Sequence, residues 1–63
     1  MNIHNYICSR IPEPVSVHVS DTQIAVSWIV WRRVYRRTRT YTADKAERVC
    51  DELIADILRD MGY

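Results

Sequence analysis

From residue 15 the chain alternates apolar and polar positions. VSVHVS sets Val15, Val17 and Val19 on one face, and after Asp21-Thr22 the run QIAVSWIV does the same with Ile24, Val26, Trp28 and Val30. Alternation with a period of two marks half-buried strands. A short turn at Asp21-Thr22 sets Val19 opposite Ile24, Val17 opposite Val26 and Val15 opposite Trp28. The large apolar side chains of both strands then share a face. Pro12 and Pro14 bound this hairpin, because proline cannot donate to a central ladder.

The next stretch, VSWIVWRRVYRRTRTYT over 26–42, contains no glycine or proline. It must turn near Trp31–Arg33, yet no Gly, Asn or Asp marks the place. A two-residue turn would direct Arg37 and Arg39 to the core face, with a heavy desolvation penalty for each ion. A loop over Trp31, Arg32 and Arg33 avoids that penalty, pairing Val30 with Val34, Trp28 with Arg36 and Val26 with Thr38. In that register the open face collects Tyr35, Arg37, Arg39 and Tyr41 beside the smaller Ala25 and Ser27, with Ile29, Ser16 and His18.

The period changes after Thr42. Ala46, Val49, Cys50, Leu53, Ile54, Ile57, Leu58 and Met61 recur at i, i+3 and i+4, which predicts a helix over 43–61. Thr42 suits its N-cap and Gly62 its C′ position, while Asp44 and Glu47 favour the positive end of the helix dipole. Asp56 and Asp60 oppose the dipole at the other end and ask for a further reason. The predicted fold is α+β: one domain, 1–63, with strands at about 14–20, 23–31 and 33–41 packed on the C-terminal helix. The helix's apolar arc is wider than one narrow sheet covers. Residues 2–9, expected as an additional edge strand with Ile3 and Ile7 inward, or a second protomer in a homodimer, would cover the rest.

Composition bounds the remaining possibilities. At 63 residues the core is small, and 48% hydrophobic with 27% charged residues is globular composition. No apolar run approaches the ~20 residues of a membrane span, and MNIHNYICSR lacks a signal-peptide core, so a cytoplasmic protein without membrane partners is expected. Cys8 and Cys50 are then expected as packing residues rather than a disulfide. No paired CxxC or HxxxH spacing suggests a metal, no glycine-rich loop suggests a phosphate cofactor, and the chain is short for a catalytic pocket. Neither catalytic residues nor cofactors are expected. Net charge is only +1, but its distribution is uneven. Residues 1–42 hold six arginines against Glu13 and Asp21; residues 43–63 hold Lys45, Arg48 and Arg59 against six acids. On the helix, Asp44 and Arg48 have the spacing of an i,i+4 pair.

The strongest chemical signal is therefore the arginine strand. Arginine meets phosphate or carboxylate with two parallel hydrogen bonds and stacks on aromatic rings. Trp31, Arg32, Arg33, Tyr35, Arg36, Arg37, Arg39 and Tyr41 thus form a candidate contact for nucleic acid, DNA before RNA, or for a host protein complex. A simpler reading is an edge strand whose charges discourage aggregation. The stretch RRTRTYTADKAERVCDELI resembles the strand-to-helix corner of three-stranded-sheet DNA-binding domains of the AP2 and integrase amino-terminal type. That resemblance implies a DNA-facing role for Tyr35, Arg37 and Arg39. In size and style the chain also looks like small bacteriophage accessory proteins, which implies an alternative function as an inhibitor that docks on host machinery.

Overall fold

The computed structural model describes all 63 residues, as an antiparallel sheet backed by two helices. Helix α1 spans Ile3–Cys8, followed by strands β1 Ser16–Val19, β2 Gln23–Val30 and β3 Arg33–Thr40. A 3₁₀ turn at Ala43–Lys45 then leads into helix α2, Ala46–Met61. The sheet is a meander in the order β1-β2-β3, so the expected α+β architecture is present.

The first hairpin has the predicted register, with Val19 opposite Ile24 and Val17 opposite Val26. Ser20 closes its turn: its N–H donates to the Gln23 carbonyl at 2.9 Å, and its hydroxyl oxygen accepts from the Gln23 N–H at 3.0 Å. β2 is the central strand and supplies Ile24, Val26 and Trp28 to the core. α2 supplies Cys50, Leu53, Ile54 and Ile57. α2 ends as its sequence predicts. Gly62 adopts φ 92°, its N–H donates to the Arg59 carbonyl, and the Tyr63 N–H reaches Leu58. These two bonds satisfy the last turn's carbonyls in a Schellman motif, for which a left-handed glycine is best suited. Thr42 makes no side-chain capping bond; its hydroxyl donates to the Asp44 carboxylate instead.

The N-terminal segment is a helix rather than the expected edge strand. Asn2 caps it, its side-chain oxygen accepting from the Asn5 N–H at 3.1 Å. Ile3, Tyr6 and Ile7 then fall on one helical face, with Ile7 fully buried and Ile3 and Tyr6 packed at the core margin. Ile11 follows them inward. α1 lies nearest β1 and α2 nearest β3, so the two helices together close one face of the sheet. The broad apolar arc of α2 is covered within the same chain, which removes the sequence-based reason for expecting a second protomer.

The second hairpin departs from expectation in a way that decides where every arginine goes. β3 pairs with Val30 opposite Arg33, Trp28 opposite Tyr35, Val26 opposite Arg37 and Ile24 opposite Arg39. The turn therefore has two residues, Trp31 and Arg32, both left-handed at φ 53° and 73°. This is the backbone of a two-residue hairpin turn whose twist matches the strands, normally built from Asn-Gly. One residue of register moves every β3 side chain to the opposite face. Arg37 and Arg39 thus lie on the helix side, Val34 and Arg36 on the open side.

Candidate binding surface

The desolvation argument against this register fails because β3 is an edge strand beside an acidic helix. Arg37 and Arg39 need not enter the core: their side chains remain 41% and 38% exposed and reach over to α2. The Arg37 guanidinium grips both oxygens of Asp60, through Nε at 2.5 Å and Nη2 at 3.0 Å. Arg39 donates to Asp56 at 2.5 Å and to Glu52 at 3.4 Å, and Arg59 closes on the other Asp56 oxygen. The hydrogen bond from Arg39, reinforced by Arg59 and Arg37, holds the Asp56 carboxyl below the usual aspartate range. Arg37 does the same to Asp60. Part of the charge asymmetry of the sequence is thus satisfied inside the molecule, where two of the front half's six arginines pair with α2. These two carboxylates are the ones that oppose the helix dipole. A salt bridge from Arg48 to Glu52, rather than the expected pair with Asp44, continues the ladder on the helix.

The expectation that Tyr35, Arg37, Arg39 and Tyr41 share the open face is overturned by this register. Tyr35 stacks on Trp28 across the strands, with ring centroids 5.9 Å apart at 15°. Tyr41 packs against the core and donates its hydroxyl to the Ser20 carbonyl at 2.6 Å. Four of the eight candidate residues therefore hold the fold together on the helix side.

The other four gather at the hairpin end. β1 pairs no further than Ser27, so the remainder of β2 runs on with β3 alone as a two-stranded arm. Trp31, at its turn, is 93% exposed. Arg32 shares the turn, Arg33 begins β3, and Arg36 stands on the open face opposite Ser27. No carboxylate forms a salt bridge with any of these three arginines. Between them lies a cross-strand pair that sequence reasoning missed as a contact: Ile29 and Val34, 72% and 71% exposed. The expected loop had turned Val34 inward. Its signal was present in the alternation V34-R36-T38, which is as regular as Y35-R37-R39 and of opposite phase. Beside the arm a groove of about 640 Å³ runs past Pro14, Val15, Trp31 and Met61.

No three His, Cys, Asp or Glu side chains are grouped to hold a metal ion. Cys8 and Cys50 are free thiols; His4 sits 3.9 Å from Cys8 on α1, and Cys50 is fully buried, its thiol pushed up by that burial. The arm can offer apolar contact, an indole and three cationic forks at once. No helix is long and apolar enough to cross a membrane. No protein-family model matches the chain, and comparisons with curated proteins and with solved structures give no significant match.

Proposed function

We propose that this chain is a small binding protein whose β2–β3 arm docks on an acidic surface of a protein partner. The carrying observation is the composition of the tip: a nearly fully exposed tryptophan and an arginine in left-handed turn positions, flanked by an exposed Ile29–Val34 pair and by arginines without internal partners. Left-handed Trp and Arg cost backbone energy that Asn-Gly would not, and such outliers concentrate where side chains serve contact. Trp and Arg are also the residue types that dominate protein binding hot spots, with apolar neighbours excluding water around them.

Nucleic acid is the second reading, favoured by Arg32, Arg33 and Arg36 around a stacking indole. It is the weaker one because Arg37 and Arg39 are held by Asp56, Asp60 and Glu52, and because α2 carries a row of carboxylates behind the sheet. Two measurements separate the readings. Affinity capture from nuclease-treated host lysate identifies a partner, which is then purified and titrated against the wild type and Arg36→Ala. The proposal expects direct binding without nucleic acid, weakened about tenfold by the substitution. Titration of Trp31 fluorescence with duplex and single-stranded oligonucleotides at ~50 mM salt tests the alternative, since electrostatic binding is strong there. Tight oligonucleotide binding, with capture abolished by nuclease, would establish nucleic acid as the ligand in place of protein.

A further inference from the structure

The arm has a free backbone edge as well as a face. The Tyr41 N–H donates to the Thr22 carbonyl at 3.0 Å, which fixes the ladder's phase. In an antiparallel pair, directly opposed residues alternate between exchanging hydrogen bonds and making none. With Thr22 opposite Tyr41 bonded, the bonded β3 residues are Arg39, Arg37, Tyr35 and Arg33. Val34, Arg36, Thr38 and Thr40 therefore turn their N–H and C=O groups outward. β3 is the outer strand, and none of those four residues has a backbone or side-chain hydrogen bond to another element.

An exposed edge of eight residues is a template for another strand. A second copy of this chain is a poor occupant. Any two-fold antiparallel pairing of β3 with itself, centred between residues 35 and 38, sets an arginine directly opposite another arginine. Like charges at that spacing destabilise a cross-strand pair. The same arginines favour an incoming strand of opposite sign. Arg36 is free on the open side, and Arg37 remains 41% exposed on the helix side.

We propose that β3 takes an extended acidic segment of a partner protein as a fourth strand, paired through the outward amides of Val34, Arg36 and Thr38, with its carboxylates on the open face against Arg36. This rests on the reading of the arm as a contact for an acidic protein and specifies how that contact is made. Backbone bonds would supply register-independent affinity, and the arginines would select acidic over basic sequences.

The test is backbone amide hydrogen exchange of the ¹⁵N-labelled wild-type protein with an end-blocked eight-residue peptide of alternating Glu and Val. Exchange at Val34, Arg36 and Thr38 is expected to slow at least tenfold on binding, and the Tyr35 and Arg37 amides, already bonded to β2, to change little. A Lys-Val peptide, and a Glu-Val peptide N-methylated at alternate residues along its bonding edge, are expected not to protect the outward amides. Peptide binding that shifts the Trp31 indole but leaves the three amides unprotected would overturn strand addition while leaving side-chain docking by the arm intact. Equal protection by the Lys-Val peptide, or no binding of Glu-Val peptide at millimolar concentration and low salt, would overturn the proposal itself. Failure of the broader reading shows separately, as a captured ligand that proves to be nucleic acid.

Discussion

Trp31 and Arg32 are where local preference and tertiary structure disagree most. Each non-glycine residue in the left-handed region costs on the order of 1 kcal/mol or more, and together they close the turn that sets the whole register. Replacing them with Asn and Gly should relieve that strain, partly offset by glycine's greater freedom in the unfolded chain. A net gain of about 1 kcal/mol would raise Tm by roughly 4–8 °C in a domain this small. The same double variant removes the exposed indole and one free guanidinium from the arm, so partner binding should weaken at least about tenfold. Thermal unfolding followed by circular dichroism, alongside titration with the purified partner, checks both halves. A variant that is more stable and still binds at full strength would show the tip to be an ordinary turn without a contact role.

At the scale of elements, the first hairpin and α2 were legible because one periodic pattern and one energetic demand agreed. Alternating valines meet alternating Ile, Val and Trp, and the helix has a single broad apolar side. β3 was not legible in the same way. Both of its phases carry arginine, so hydrophobic pattern cannot choose between them, and turn chemistry pointed to neither. The deciding facts are tertiary: the position of β3 at the sheet edge, and the carboxylates of Glu52, Asp56 and Asp60 within reach. The misplaced dipole sign of Asp56 and Asp60 was the trace of this in the sequence. α1 was missed because six residues make too short a helix for periodicity to establish, and its Asn2 cap is a weak signal alone. Its packing nevertheless matters. Ile7 is fully buried between α1 and the core, so Ile7→Ala should destabilise by about 2–5 kcal/mol. That is a large part of the stability a chain of this length can have, and urea unfolding should show the midpoint shifted to much lower denaturant. A loss under 1 kcal/mol would mean that α1 is only loosely docked.

For the whole molecule, the basic strand and the acidic helix form one electrostatic clamp, and its pH dependence has a definite sign. Asp56 and Asp60 titrate lower in the folded chain than unfolded, because Arg39 and Arg37 stabilise their charged forms. A carboxylate depressed in this way contributes stability that is fully present above its unfolded pKa, about 3.9, and is lost as pH falls through the folded value. Tm should therefore be flat with respect to this pair from neutral pH to about 5, then fall as the solution is taken below about 4. Protonation also leaves Arg37, Arg39 and Arg59 facing one another without their counter-charges, which steepens the loss. Asp60→Asn removes one acceptor and one titrating group, so it should lower Tm at pH 7 and flatten the acid limb. High salt should mimic it weakly, since both guanidinium groups are partly exposed and hence partly screened. A wild-type Tm that does not move between pH 5 and 2, or that rises, would mean the clamp between β3 and α2 does not hold in solution. In that event Arg37 and Arg39 would be free to join the arm's other arginines, and the balance between protein and nucleic acid as the ligand would shift towards nucleic acid.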